Sequence, residues 1–207
     1  GGSADGGGVT ALLSELAVTG STIARNNSTR RGGGVAFLVD NQSELTVGNS
    51  ILAENTDGGE APDLYAGGQS QLVSIEASLI GDNRGTFLDE AQVPDAIGNL
   101  VGDVSGQGLL SPQLQPLFYT GRTYVHVLDT TSPAVDAGRN GLIGVAPNDQ
   151  RGAPFFRIAG PRVDMGAYEN QVLINTSLIV TTDQDEVNFQ NASVSLREAI
   201  MRANGTP

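Results

Sequence analysis

Apolar and polar residues alternate in short runs through the first half of the chain. Leu12-Leu13-Ser14-Glu15-Leu16-Ala17-Val18 and Ser43-Glu44-Leu45-Thr46-Val47 have the two-residue period and the residue types of β-strands. Between such runs the sequence repeats itself. An aliphatic residue stands three places before asparagine in Ile23-Ala24-Arg25-Asn26, Leu52-Ala53-Glu54-Asn55 and Ile80-Gly81-Asp82-Asn83, and the asparagines are 29 and 28 residues apart. Gly6-Gly7-Gly8-Val9 and Gly32-Gly33-Gly34-Val35 recur 26 residues apart. A period of about 28 with short strands and no long helix predicts an all-β chain wound as a right-handed parallel β-helix. Its three-stranded coils are expected over residues 1–110, each adding ~4.8 Å along the axis. Asn26, Asn55 and Asn83 then fall at one turn and are expected to form an amide ladder. The other reading is that they face solvent and bind sugar.

The pattern changes near the end. Leu196, Ala199, Ile200 and Ala203 recur at i, i+3, i+4 and i+7, the stripe of an amphipathic helix. Ser195-Leu196-Arg197-Glu198 is a capping box at its start, and Arg202, Asn204 and Gly205 give a stop signal. A helix of about two turns is too short to stand alone in water, so its stripe is expected to dock on another surface. Before it lie two apolar strand candidates, Val172-Leu173-Ile174 and Ser177-Leu178-Ile179-Val180.

Composition narrows the chemistry. The chain has 207 residues, 28 glycines and a net charge of −12, and its eleven basic residues are all arginine. An acidic surface without lysine argues against nucleic-acid or anionic-membrane binding, and lysine crosslinks are excluded. The absence of cysteine removes disulfides, thiolate metal sites and thiol nucleophiles. No run approaches a membrane span and no signal peptide is visible. The chain opens as if in mid-domain, as expected of a fragment or processed piece.

Candidate sites are few. Asp183 and Asp185, with Glu186 and the neutral oxygen of Asn188, form an acidic loop that could hold Ca2+ or simply be solvated. Asp57, Glu60 and Asp63 form a second such cluster. Asp136, Asp149, Arg151, Asp164 and Glu169 read as a structural network in which Arg151 bridges carboxylates; a glycosidase pair would need two acids flanking a groove. His126 is the single histidine. Grouping it with Asp129 and Ser132 lacks the sequence elbow of a hydrolase nucleophile, so a hydrogen-bonded strand histidine is expected. Aromatic platforms on the coils are scarce, with Phe37 and Tyr65 the only two before residue 87.

Two resemblances add to this reading. The GGGV and aliphatic-x-x-Asn elements resemble the repeats of polymorphic outer-membrane β-helix proteins. From SLIGDN at Ser78 through IGNLVGD, LLSPQLQPL, TYVHVLDTTSPAVDAG, DQRG and GPRVDMGAYE, the chain resembles the C-terminal half of the bacterial extracellular β-helix proteins called choice-of-anchor Q. Thr120-Gly121-Arg122 departs from that pattern, where Asn-Gly-Gly is usual. The last stretch resembles the CSLREA entry motif of the same proteins, with Leu196-Arg197-Glu198-Ala199-Ile200 intact and Val194 in place of the motif's cysteine. In that family this element caps the first coil.

The implied order is coils over 1–110, a closing block over 111–170, and an opening block over 171–207 that caps another unit. That unit is the next in a tandem protein, a second subunit, or the chain's own first coil. The expected function is a non-catalytic extracellular or cell-surface structural or adhesive module of a bacterium or archaeon, joined head to tail with copies of itself. A polysaccharide-binding or polysaccharide-degrading β-helix protein is the alternative. No cofactor is expected apart from Ca2+ on Asp183 and Asp185, and the capping interface is expected on Leu196, Ala199, Ile200 and Ala203.

Overall fold

The computed structural model describes residues 5–12, 15–38, 43–67, 73–142, 146–171, 180–188 and 193–203. The protein is all-β, mostly strands in parallel sheets, with one short α-helix among the described residues. Each repeat contributes three strands: β1 (Val9–Leu12), β2 (Glu15–Thr19) and β3 (Thr22–Ala24) in the first, and β4 (Val35–Leu38), β5 (Glu44–Gly48) and β6 (Ile51–Ala53) in the second. The third gives β7 (Leu64–Tyr65), β8 (Val73–Glu76) and β9 (Leu79–Ile80), and β10 (Leu100–Val101) follows. The expected run from Leu12 to Val18 is therefore two strands, with residues 13 and 14 outside the described set. So too are the strand candidates at 172–179.

Equivalent strands pair in parallel, giving sheets β1-β4-β7, β2-β5-β8 and β3-β6-β9-β10. Register follows the spacing in the sequence: Ile23 opposes Leu52, and Leu52 opposes Ile80. The last step is shorter, because Ile80 opposes Val101. The glycine triplets permit this stacking. A Cβ on Gly33 would run into the carbonyl oxygens of Thr56 and Pro62 in the following repeat, and one on Gly7 into those of Gly33 and Asn27.

The corner between the second and third sheets has its own column. Gly20, Asn49, Ala77 and Gly98 occupy equivalent positions and all have positive φ, at 53°, 48°, 48° and 88°. This left-handed residue turns the chain from one sheet into the next.

Alternation fills two cores. Phe37, Leu45, Val47, Leu52, Leu64, Ile75 and Ile80 point inward between the three sheets. Their neighbours Ile51, Ala53, Leu79 and Leu100 point outward and are buried by Leu114, Leu128, Ala134 and Met165. The third sheet is thus covered on both faces, which explains its continuous apolar runs.

What covers it is the block expected to close the fold. It comprises an antiparallel hairpin, β11 (Leu114–Tyr119) and β12 (Tyr124–Leu128), followed by mostly irregular chain. That chain is fastened along the left-handed column. Arg139 Nη2 donates to the Ile97 carbonyl, Gly166 N to the Asn49 carbonyl and Ala167 N to Thr22 Oγ1. The block therefore closes a flank of the repeats and leaves their two ends distinct.

The far end is covered. Ala91 pairs with Val101 on the outer side of β10, Ala66 N donates to Gly85 O, and Ala77 N donates to Ile97 O. At the near end, β1, β2 and β3 are each the outermost strand of their sheet among the described residues.

Candidate functional site

The near end is built from two ladders of side chains that run between repeats. In the first, Asn26 Nδ2 and backbone N donate to Asn55 Oδ1 at 3.1 and 2.9 Å. Asn55 in turn donates to Asp63 Oδ1 from Nδ2 at 2.9 Å and from its backbone N at 3.1 Å. Asn83 is not the third rung. Its amide turns to the Leu88 carbonyl at 3.1 Å. The reason is the loop between β6 and β7, which delivers the buried carboxylate of Asp63 to the position an amide from Asn83 would fill. Burial pushes the Asp63 carboxyl up to about 7, against the opposing hydrogen bonds from Asn55 and Asp82.

The second ladder was not anticipated. Ser21 N donates to Ser50 Oγ, Ser50 N to Ser78 Oγ, and Ser78 N to Asn99 Oδ1, each at 3.1 Å. These residues follow the left-handed column directly. The signal was present in the sequence, since Ser21, Ser50 and Ser78 have the same 29- and 28-residue spacing as the asparagines.

First-sheet N–H groups donate forward, Val9 to Gly34 and Val35 to Asp63, whereas in every later repeat alternate third-sheet N–H groups reach back to the repeat before. Ile51, Leu79 and Leu100 donate to Ser21, Ser50 and Ser78 carbonyls, and Gly81 donates to Leu52. By register Thr22 and Ala24 are their equivalents in the first repeat. Their N–H groups point away from the fold. Ser21 Oγ and Asn26 Oδ1 likewise accept nothing among the described residues, although the same atoms accept in the repeats that follow. Beside this edge lies an open recess of about 590 Å3 lined by Leu16, Val18, Ile23 and Arg157.

The C-terminal segment has the expected helix, α1 (Leu196–Ala203). Its capping box is reciprocal: Glu198 N donates to Ser195 Oγ at 3.2 Å and Ser195 N to Glu198 Oε2 at 2.9 Å. Thr181 N donates to Val194 O at 2.8 Å and Val194 N to Thr181 Oγ1 at 2.7 Å, so residues 180–188 fold back beside the helix start. The expected docking stripe is divided. Ala199 is buried with Ser195 and Glu198, whereas Leu196 and Ile200 are 62% and 51% exposed. The outward face is therefore Leu196 and Ile200, joined by Val180 and Met201 around a groove of about 730 Å3. The Ala203 side chain, Asn204 and Gly205 lie outside the described residues.

The acidic loop is drawn to this helix. Arg197 binds Asp185 with both Nε and Nη2, at 2.8 and 2.7 Å, and holds its carboxyl below the usual range. Asp183 accepts from Gln184 Nε2 at 3.0 Å. No group of three or more His, Asp or Glu placed to hold a metal ion occurs among the described residues. The cluster at 57–63 is dispersed as well. Asp57 accepts from Gly59 N and Ala61 N, Glu60 pairs with Arg31, and Asp63 sits in the asparagine ladder.

The charged network of the flanking block is buried and saturated. Arg151 binds Asp149 with two donors and lies between the Phe155 and Tyr168 rings, 3.9 and 4.0 Å from their centroids. It does not bridge carboxylates as expected. The cation that reaches Glu169 is Arg157, which sequence did not single out: Nη1 donates to Glu169 Oε2 at 3.1 Å and Nη2 to the Asp164 and Gly166 backbone carbonyls. Glu169 also accepts Ala159 N and Asp164 N, and Asp164 accepts Asp136 N and Asn170 N. Burial, then the neighbouring carboxylate, pushes Glu169 up to about 8, and burial pushes Asp164 up to about 6. With 0% and 2% exposure, neither acid faces a groove. His126 Nδ1 contacts the Gln115 carbonyl at 2.9 Å, Ser132 Oγ donates to Pro112 O, and Asp129 accepts from Thr131 and Gln115. These three side chains do not form a relay.

The hairpin carries a feature that composition hid. Leu117, Phe118, Tyr119 and Tyr124 are all more than half exposed, and the two tyrosine rings lie 4.9 Å apart. Comparison with protein-family models, curated proteins and solved structures returns no match to this chain.

Proposed function

We propose that the repeats wind as a right-handed parallel β-helix and that the protein is a non-catalytic structural or adhesive module joined head to tail with copies of itself. The observation that carries this reading is the asymmetry of the two ends. The far end is covered by Ala91, Gly85 and Ile97, while at the near end no strand among the described residues pairs with the outer side of β1, β2 or β3. Such an edge associates unless something covers it. The Leu196 and Ile200 face of the C-terminal segment is the apolar surface available to cover it. The next unit is a separate copy or a later unit of one longer chain.

A cell-surface or extracellular setting, in a bacterium or archaeon, goes with the choice-of-anchor Q and CSLREA resemblance of the repeats, flanking block and helix. Light scattering on the whole chain and on a chain ending at Asn170 tests the joint. The whole chain is expected to grow in mass with concentration and the shortened one to stay at a single mass. Equal behaviour of the two sinks the reading.

The runner-up is polysaccharide binding, favoured by the exposed Tyr119 and Tyr124 pair on the hairpin. Binding of acidic or neutral polysaccharides that is lost in Tyr119→Ala and Tyr124→Ala, with mass unchanged by concentration, would favour it over the structural reading.

A further inference from the structure

The antiparallel hairpin of the flanking block packs on the repeats only at its base. Leu114 and Leu128 are buried in the second core, whereas every later residue of β11 is exposed. Pairing sets Leu117 opposite His126 and Tyr119 opposite Tyr124, so alternation brings these four side chains onto one face. The two tyrosine rings, each more than half exposed, stand 4.9 Å apart and are inclined by 45°. They present two aromatic faces to solvent at an open angle.

The tip between the tyrosines is already fixed. Thr120 N and Oγ1 both donate to the Thr123 carbonyl, at 2.9 and 3.0 Å, and Tyr119 Oη donates to the Gly121 carbonyl at 3.0 Å. Gln150 Nε2 holds the Tyr124 carbonyl at 3.1 Å. The tip therefore has little freedom left to lose on binding. Its charge is unusual for this chain. From Gln113 to Leu128 there is no carboxylate, although the chain carries 23 elsewhere, and the one cation is Arg122. Most arginines of the protein are held in ion pairs. Arg122 is not: Nη1 donates to the Ala153 carbonyl at 3.3 Å, and no carboxylate among the described residues pairs with it.

We infer that the hairpin binds an acidic polysaccharide, with sugar rings lying on Tyr119 and Tyr124 and a uronate carboxylate pairing with Arg122. A pyranose ring has an apolar C–H face that packs on an aromatic ring, while its hydroxyls stay in water, which suits tyrosines exposed beside a polar tip. The guanidinium fork matches a carboxylate with two parallel bonds that a neutral sugar has no group to accept. An aromatic patch alone fits a second copy of the chain as well; the unpaired cation in a segment free of carboxylates is what selects an acid. The net charge of −12 opposes an acidic polymer from afar, but physiological salt confines that repulsion to about 8 Å. The inference rests on the polysaccharide-binding reading and names its sugar class, and it holds whether or not copies join.

Titration of the full chain with galacturonate oligosaccharides, and with neutral glucose oligosaccharides of equal length, tests it at about 0.15 M salt. The uronate should bind more tightly. Arg122→Met should weaken uronate binding about tenfold and leave the neutral sugar unchanged, and Tyr119→Ala and Tyr124→Ala should each weaken the uronate about three- to tenfold. All three side chains are exposed, so the melting temperatures of the variants should match the parent's. Equal binding of both sugars, unmoved by Arg122→Met, overturns the acidic class while polysaccharide binding survives. Uronate binding unmoved by either tyrosine variant overturns the hairpin as the site. Binding of neither sugar overturns the inference and the polysaccharide reading together. Loss of self-association in the tyrosine variants, with neither sugar bound, makes the hairpin a contact between copies and overturns the inference as well.

Discussion

Asn49 holds Arg139, 90 residues further along the chain, by its backbone: Oδ1 accepts from Arg139 N at 2.7 Å and Nδ2 donates to Arg139 O at 2.9 Å. Asn49 is also one of the left-handed residues, at φ 48°, and its own carbonyl accepts Gly166 N. The Arg139 guanidinium pairs with Glu76, in the strand before the next left-handed residue. One corner of the second repeat thus locks the flanking block to the sheets.

Replacing this residue separates its two tasks. Asn49→Ala should lose both side-chain bonds and place a Cβ-bearing residue without local hydrogen bonding at positive φ, costing about 2–4 kcal/mol. Asn49→Gly keeps the backbone preference and should cost ~1 kcal/mol less. Urea unfolding of the two variants measures the difference, and equal losses would mean that backbone conformation contributes nothing there.

The serine ladder makes a graded prediction. Ser78→Ala and Ser50→Ala each leave the N–H of the preceding rung without its acceptor, which should cost about 1–3 kcal/mol. Ser21 Oγ receives no N–H among the described residues, so Ser21→Ala should cost the monomer less than ~1 kcal/mol. Denaturation at concentrations below any association checks the ranking.

Arg157 is the cation that compensates buried Glu169. Arg157→Met should destabilise by about 3–5 kcal/mol at pH 9 to 10, where Glu169 is ionised beside its cation in the parent protein and, without it, must stay buried unpaired or take up a proton. At pH 5 the loss should shrink, since Glu169 can then take up a proton. The double change Arg157→Met with Glu169→Gln should recover part of the stability, measured by the same unfolding curves.

Acidification should stabilise the fold. Asp63, Asp164 and Glu169 have folded pKa values raised to about 7, 6 and 8, above the ordinary range near 4. Their contribution is therefore complete below pH ~4 and is lost as pH rises through about 6–8. Between pH 8 and pH 5 stability should increase by ~2 kcal/mol or more. Asp63→Asn should flatten that rise. A melting temperature that falls over this interval contradicts the assignment.

The parallel pairing was legible because it depends on spacing that recurs. Ile23, Leu52 and Ile80 oppose one another as their 29- and 28-residue separations require. The capping box at Ser195 and Glu198 was legible because it spans one helical turn. Asn83 was misplaced because spacing cannot reveal that a loop returns Asp63 to the same position. The outward turn of Leu196 and Ile200, and the burial of Ala199, depend on the fold-back at Thr181 and Val194. Arg157 carries no local signal: its carbonyl partners lie at Asp164 and Gly166, on a strap whose course is fixed by bonds 90 and 145 residues long.

The left-handed column also bears on how such a chain can change length. Steps between equivalent positions run from Val9 to Val35, from Leu16 to Leu45 and from Ile80 to Val101, so loops differ while the corners stay aligned. Each corner carries its own turn residue and its own acceptor for the neighbouring N–H. A duplicated or deleted unit that includes one corner brings a complete set of bonds with it, and its neighbours meet the same surface as before. The architecture can therefore be extended or shortened by copying, with each new length inheriting a working geometry.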